Sequence, residues 1–180
     1  MYEFFLNQFG RSLIINDIEN DSFSTLDKSV HIKLIEAVYD KIQQDYPEAL
    51  ERLQFKYKNK ADHKFIMVRR FLKCNFSLHD SEVDYDKAGD LHLEIVQCPL
   101  KGECEDDGII CEPKLNTNLS DRELEVLKLL VANYNNHEIA DLLFISHFTV
   151  DNHKKNIYRK LKINNVGQLV DYAYKNKLVK

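Results

Sequence analysis

The sequence has few glycines and prolines, and it has no apolar run long enough to span a membrane. Only five glycines and three prolines occur among 180 residues, and tryptophan is absent. No glycine-rich phosphate-binding loop, nucleophile elbow or His-Glu-x-x-His motif is present. No apolar stretch approaches the roughly 18 residues of a transmembrane helix. These absences predict a protein that is neither an enzyme of these classes nor a membrane-spanning protein.

The first ten residues have some apolar character but do not have the pattern of a signal peptide. They lack a basic segment at the start and a small-residue cleavage site at the end. We therefore expect a cytoplasmic protein.

Charge is distributed unevenly along the chain. Residues 1–115 carry 22 acidic and 15 basic side chains, a net charge of −7. Residues 116–180 carry 7 acidic and 10 basic side chains, a net charge of +3. An acidic part followed by a basic part is typical of a nucleic-acid-binding module attached to another domain. We therefore expect two domains, 1–115 and 116–180.

Two helices are predicted in the front domain. Apolar residues recur every four positions between Thr25 and Gln44, as in one stripe of an amphipathic helix. Pro47 suits the first turn of a second helix that extends through Phe55. Both helices are expected to serve core or dimer packing rather than chemistry. The stripe of the first helix comprises Leu26, Val30, Leu34, Val38 and Ile42.

The remainder of the front domain gives mixed signals. Residues 63–76 fit a helix about as well as a strand, and residues 79–89 are acidic and turn-like. Residues 91–96 alternate between apolar and polar side chains, which predicts a strand. The acidic stretch lacks the loop spacing of a known cation site, so we expect it to be solvated surface. Together these patterns predict an α+β fold for residues 1–115.

All four cysteines lie in the front domain, and three of them are close together in sequence. Cys98, Cys104 and Cys111 lie in an irregular loop, 98–113, that also contains two glycines and two prolines. In a cytoplasmic protein, clustered cysteines favour metal or redox chemistry over disulfides. With Cys74 as the fourth ligand, the loop is expected to close a tetrahedral zinc site. The same four thiolates can also hold an iron–sulfur cluster.

The cysteine spacing leaves other interpretations open. The Cys-x2-Cys pair that is common in zinc sites is missing. His79 or His92 can replace Cys74 as the fourth ligand. Alternatively, Cys74 is an ordinary buried side chain and the other three cysteines are free thiols.

Four helices are predicted in the C-terminal domain. Ser120 and Glu123 form a capping box for the first helix, which runs for about three turns. The second helix spans 137–143, and Ala140 is small where two helices must approach closely. Ser146 follows a tight turn and is positioned as the N-cap of the third helix. The third and fourth helices are expected at about 147–162 and 167–176.

Short motifs are distributed over all four of these helices. They comprise Leu119-Ser-x-Arg-Glu-x-Glu-Val-Leu127, Glu138-Ile-Ala140, Leu143-x-Ile-Ser146, Thr149-Val-x-Asn-His153, Asn156-Ile157 and Lys160-Leu161. This pattern resembles the DNA-binding domain of LuxR-type (GerE-like) transcriptional regulators, and it covers about a third of the chain. The resemblance implies an all-α helix-turn-helix domain that binds double-stranded DNA. The front domain resembles neither the autoinducer-binding nor the receiver domains that often precede this module, because it lacks tryptophan and an Asp-Asp pair after an opening strand.

The third helix carries the candidate DNA contacts. In LuxR-type domains the positions of Asp151, Asn152 and Lys155 face the floor of the major groove. Asn152 suits adenine, Lys155 suits guanine, and Asp151 can accept a hydrogen bond from a cytosine amine. Other residues are placed for phosphates, where they fix the register and give salt-dependent affinity. These phosphate candidates are Ser146, Thr149, Lys154, Arg159 and Lys160.

Two residues of the third helix have a structural alternative. Many family members have a basic residue where this chain has Asp151. An acidic side chain there repels phosphates, or it simply pairs with Lys154 or Lys155 on the helix surface. His153 is expected to pack at the base of the helix rather than to contact DNA.

The resemblance also implies a dimer. In LuxR-type domains the fourth helix commonly mediates dimerisation, and a homodimer predicts half-sites about 10 base pairs apart. The corresponding apolar residues are Val166, Leu169, Val170 and Ala173.

The sequence therefore predicts a two-domain transcriptional regulator with double-stranded DNA and the transcription machinery as its partners. The main alternative is a helix-turn-helix adaptor or anti-activator that binds a protein partner instead of DNA. An iron–sulfur redox sensor is a variant of the regulator hypothesis.

Overall fold

The structure is a computed structural model that divides into two units, Met1–Leu115 and Asn116–Lys180. The residues that it describes are 1–7, 12–77, 79–80, 82–176 and 178–179. None of the helices in these ranges is long and apolar enough to cross a membrane.

The N-terminal unit begins with a three-stranded antiparallel sheet. Its strands are β1 (Tyr2–Leu6), β2 (Leu13–Asp17) and β3 (Ser22–Thr25), in the order β1-β2-β3. Phe4 pairs with Ile15 across the first two strands, and both side chains are buried. The sheet therefore covers the core with one face, whereas the short strand β3 is exposed throughout.

Three helices complete the core: the third lies against β1 and β2, and the first two pack against the third and against each other. They are α1 (Ile32–Asp45), α2 (Pro47–Tyr57) and α3 (His63–Asn75). Pro47 lies in the first turn of α2, as predicted. Residues 63–75 of the ambiguous segment are therefore helical, and they bury Met67, Val68, Phe71 and Leu72 on one side.

Two predictions for this unit are wrong. The first helix begins at Ile32 rather than near Thr25, because residues 22–25 pair with β2 instead, and Val30 is 74% exposed. Residues 91–96 do not form a strand. Their backbone amides donate to separate partners, since His92 N bonds to Asp84 O and Glu94 N bonds to Asn75 O.

The C-terminal unit is helical. Its helices are α4 (Asp121–Val131), α5 (Asn136–Leu143), α6 (His147–Leu161) and α7 (Val166–Lys175). The predicted combination of a front part with strands and helices and a helical C-terminal part is confirmed. The buried core of this unit comprises Val126, Leu127, Leu130, Ile139, Ala140, Val150, Ile157, Leu169 and Ala173.

A buried carboxyl links the sheet to the loops of the N-terminal unit. Asp84 is 2% exposed, and its Oδ2 accepts a hydrogen bond from Phe4 N at 2.6 Å. Burial raises the pKa of Asp84 to about 8, and the nearby carboxylates of Glu94 and Glu3 act in the same direction. The hydrogen bond from Phe4 N lowers the pKa of Asp84, but by less than burial raises it.

This pKa predicts a pH dependence of folding. The folded state retains the Asp84 proton that the unfolded chain releases near pH 3.8. The contribution of Asp84 to the free energy of unfolding is therefore fully present below pH 3.8. It falls by about 1.4 kcal/mol per pH unit as the pH rises towards 8. Asp84→Asn keeps a neutral side chain that accepts from Phe4 N, and should remove this part of the slope. The slope is measured by urea unfolding at several pH values, with the unfolding monitored through hydrogen–deuterium exchange of peptides from α3.

The matched control is Asp40→Asn on the exposed side of α1. It should keep the slope of the unchanged chain. Equal slopes for the unchanged chain and Asp84→Asn would contradict the assignment.

Candidate nucleic-acid interface

The start of α4 is fixed by a capping box. Ser120 Oγ accepts a hydrogen bond from Glu123 N at 3.3 Å, and Ser120 N donates to Glu123 Oε2 at 2.7 Å. These bonds satisfy two amides that a helix start leaves without an intrahelical partner. The predicted capping box is thus present.

A second capping box, which the sequence reasoning missed, begins α5. The Asn135 side chain accepts from the amides of His137 and Glu138, and Asn135 N donates to Glu138 Oε2. At the other end of α5, Arg122 donates to the carbonyl of Leu143. The signal was the Asn-x-x-Glu spacing, which follows the same rule as Ser-x-x-Glu.

The turn between α5 and α6 covers residues 144–146. Phe144 adopts a left-handed conformation with φ of 54°, and Ile145 N donates to Ala140 O at 3.0 Å, which ends α5. Ser146 then accepts from Thr149 N at 3.1 Å as the N-cap of α6. Two helices are therefore joined by a three-residue turn with satisfied ends.

Helix α6 is anchored on one side and open on the other. Val150 and Ile157 are fully buried against α4 and α5. On the opposite side, Asn152, Lys155 and Arg159 are exposed at spacings of three and four residues, so they share one helix face.

Phe148 extends this exposed face towards the start of the helix. It lies four residues before Asn152 and is 68% exposed. The sequence analysis did not identify Phe148 as a surface residue, although its spacing of four residues from Asn152 indicates that both lie on one helix face. We call Phe148, Asn152, Lys155 and Arg159 the outer face of α6.

The sequence of these helices is similar to that of known proteins. Residues 117–173 match the family described as "Bacterial regulatory proteins, luxR family". These residues form a LuxR-family domain. The resemblance drawn from the sequence motifs is confirmed for this part of the chain.

The curated relatives match the LuxR-family domain alone. The oxygen regulatory protein NreC of Staphylococcus carnosus (strain TM300) is 49% identical over 61 residues, which are 34% of this chain and 28% of the relative. The fimbriae Z protein of Escherichia coli (strain K12) is 49% identical over 57 residues, which are 32% of this chain and 27% of the relative. This chain therefore spans little more than a quarter of the length of these relatives.

Asp151 lies beside the outer face and has a partner within the LuxR-family domain. Its Oδ1 accepts a hydrogen bond from Asn136 Nδ2 at 2.6 Å, and its side chain is half-buried. This bond connects the first residue of α5 to α6. Asp151 therefore helps to hold the two helices together, and its contact with a base stays a prediction.

Lys160 also has an internal partner. Its ammonium lies 2.6 Å from Glu123 Oε2, and the Glu123 side chain is only 6% exposed. Burial opposes the charge of Glu123, but Lys160 and the Ser120 donors hold its pKa below the ordinary value. The ion pair joins α4 to the last turn of α6, and the predicted phosphate contact of Lys160 would have to compete with it.

The other phosphate candidates are distributed along α6. The hydroxyls of Ser146 and Thr149 are 2.9 Å apart at its start. Lys154 lies over the ring of Tyr158, with Nζ 5.9 Å from the ring centroid. Arg159 is exposed near its end and donates to Asn156.

The structure corrects part of the predicted dimer face. Leu169 and Ala173 are fully buried in the core of their own domain, so they are not available to a second copy. They fill the space between α7 and α4, because a short helix must bury one stripe in its own domain first. Val166 and Tyr174 remain exposed on the other side of α7, with Val170 between them half-buried.

Separate substitutions of Lys160 and Lys155 should distinguish a lysine that stabilises the domain from one that only adds surface charge. Lys160→Met removes the partner of a buried carboxylate and should lower the free energy of unfolding by about 1–3 kcal/mol. Lys155→Met removes the same charge from the outer face and should leave stability within about 0.5 kcal/mol. Chemical denaturation of both variants, followed by circular dichroism, measures the difference. Equal losses would show that the Glu123–Lys160 pair does not stabilise the domain.

Proposed function

We propose that this protein is a sequence-specific transcriptional regulator whose helix α6, with Lys162 following it, enters the major groove of double-stranded DNA. The observation that carries the proposal is the outer face of α6, an exposed polar and basic helix surface in a LuxR-family domain. A single helix fits the width of the major groove, and its N-terminal half faces the base edges.

The outer face offers groups suited to base edges. Asn152 can pair with adenine through two hydrogen bonds, and Lys155 can donate to guanine. Both side chains are exposed. Asp151 is a weaker candidate, because it must release Asn136 or keep one oxygen free to accept from a cytosine amine.

Phe148 adds an apolar contact to this set. An exposed aromatic ring at the start of a groove-facing helix suits the methyl group of thymine, which only the major groove presents. We therefore include Phe148 among the residues that select the DNA sequence.

Cations around the C-terminal end of α6 are suited to phosphates. A surface pocket there is lined by Lys155, Arg159, Lys162 and Asn164. At the other end, the N-terminus of α6 with Ser146 and Thr149 can hold a phosphate through its free amides. Two phosphate sites at opposite ends would fix the register of the helix in the groove.

We further propose that the protein binds DNA as a homodimer through the exposed side of α7. Val166, Val170 and Tyr174 lie four residues apart and form one apolar stripe that the domain core does not use. Two copies would read half-sites about 10 base pairs apart. The N-terminal unit would then serve as the sensory or interaction domain, which contacts a signal or the transcription machinery.

A specific surface favours the alternative of a protein adaptor. Leu142 and Phe144 are exposed at the turn before α6, and Phe144 is 94% exposed. Together with Phe148 they give the domain apolar surface that a protein partner can cover. A helix-turn-helix adaptor that binds no DNA would use this surface.

Salt-dependent DNA binding distinguishes the two functions. The full chain should shift DNA selected from a random pool, and its affinity should fall steeply as salt rises. Asn152→Ala with Lys155→Met should lower affinity for the selected site by about ten-fold to several hundred-fold. The control Lys128→Met, an exposed cation on α4, should change affinity little. No shift at low salt with the full chain would favour the adaptor.

The role of Phe148 has its own test. The thymines of the selected site are replaced by deoxyuridine one at a time. Each replacement removes one methyl group and leaves the hydrogen-bonding groups of the base unchanged. One replacement should weaken binding of the unchanged chain by several-fold and have no effect on Phe148→Ala. Equal sensitivity of both proteins at every thymine would exclude the contact.

A further inference from the structure

The N-terminal unit gathers its four cysteines from separate segments. Cys74 lies in the last turn of α3, whereas Cys98, Cys104 and Cys111 lie in a series of turns further along the chain. All four are half-buried thiols that form no disulfide.

Asn75 holds Cys111 beside Cys74. Its side chain is fully buried, and it donates to Ile110 O at 2.8 Å and accepts from Glu112 N at 3.2 Å. The residues on both sides of Cys111 are thus bonded to the residue that follows Cys74. The Cys74 and Cys111 side chains are therefore held beside each other.

Asp106 holds the middle of the loop against the helices. Its side chain is 2% exposed and is surrounded by Arg52, Lys56 and Arg70 at 2.9, 2.6 and 3.3 Å. Its carbonyl accepts from Ile110 N at 3.0 Å, so the same residue fixes the approach to Cys111. Three cations on one buried carboxylate give the loop a defined position.

Two tight turns shape the loop around Cys104. Gly102 and Gly108 have φ of 86° and 71°, a conformation that favours glycine, and they flank Cys104 in sequence. Cys98 and Cys104 then lie within electrostatic range of both Cys74 and Cys111. Among the described residues, no three histidine, cysteine, aspartate or glutamate side chains already surround a common point, so ligation requires rotation of thiol side chains.

We propose that Cys74, Cys98, Cys104 and Cys111 form a tetrathiolate site for one zinc ion. Binding converts four thiols and one aqueous Zn²⁺ into a zinc tetrathiolate and releases four protons. The site would fasten the loop 98–113 to the end of α3, which gives the N-terminal unit a structural metal.

The closeness of Cys74 and Cys111 favours zinc over a [4Fe–4S] cluster. Zinc–sulfur bonds of about 2.3 Å in a tetrahedron place neighbouring sulfurs about 3.8 Å apart. Cys74 and Cys111 are held beside each other, as two sulfurs on one metal ion must be. A [4Fe–4S] cluster binds each cysteine to a different iron atom, so these two sulfurs would have to move apart against the Asn75 hydrogen bonds.

Arg70 supplies charge compensation for such a site. Its Nη2 lies 4.0 Å from Cys104 Sγ, and its Nε is buried without an acceptor among the described residues. A zinc tetrathiolate carries two negative charges, and a guanidinium beside one sulfur stabilises them.

His79 and His92 are the two histidines that could replace Cys74 as the fourth ligand. Both have other contacts, since His79 stacks on Phe5 and His92 lies 3.0 Å from Asp86.

Metal analysis of the full chain tests this proposal. Protein purified anaerobically with a reductant should be colourless and contain about one zinc per chain. Cys104→Ser and Cys111→Ser should each lose most of this zinc, whereas the controls His79→Gln and His92→Gln should retain it. Cobalt exchanged into the unchanged chain should give the intense near-ultraviolet sulfur-to-cobalt absorption of a tetrathiolate.

The cobalt spectrum keeps the test decisive if a serine variant does not fold. Folded protein without metal and with four reactive thiols would overturn the proposal, as would a Cys74–Cys111 disulfide in the reduced preparation. Bound iron with visible absorption would overturn the choice of zinc. None of these measurements uses DNA, so their outcome is independent of the proposed regulatory function.

Discussion

The carboxylate of Glu123 connects the parts of the LuxR-family domain on which recognition depends. It caps the start of α4 through Ser120 and binds the ammonium of Lys160 in the last turn of α6. A buried carboxylate is costly unless it is paired and hydrogen-bonded, and here both conditions are met by residues of two helices. The orientation of α6, and with it the direction in which its outer face points, follows from this pairing and from the packing of Val150 and Ile157.

The N-terminal unit uses the same physical device at a different place. Asn75 and Asp106 are buried polar residues whose partners come from distant parts of the chain. For Asp106, burial opposes the charge, and Lys56 and Arg52 nevertheless hold its pKa below the ordinary value. Such groups give an irregular loop a single position where regular hydrogen bonding is absent. In both units, therefore, a few buried polar side chains place the residues to which we assign function.

The predictions that succeeded and those that failed differ in the range of the interactions behind them. Capping residues act within one turn, so Ser120, Ser146 and Pro47 indicated helix starts directly. The strand predicted at 91–96 failed because its amides bond to Asp84 and Asn75, which alternation of side chains does not reveal. The late start of α1 has a similar cause, since residues 22–25 obtain their hydrogen bonds from β2. Leu169 and Ala173 were apolar in the expected period, but the period does not say whether such a stripe faces a core or a partner.

The sequence by itself determined the family of residues 117–173, the helix boundaries that local caps define, and the candidates Asn152 and Lys155 on one helix face. Those features depend on residue types at short spacing, which a sequence shows directly. Only the tertiary structure decided that Lys160 pairs with Glu123 and that Asp151 accepts from Asn136. It also brought Cys111 to Cys74 across 37 positions of the chain. These contacts join residues far apart in sequence, and their geometry depends on how whole elements pack.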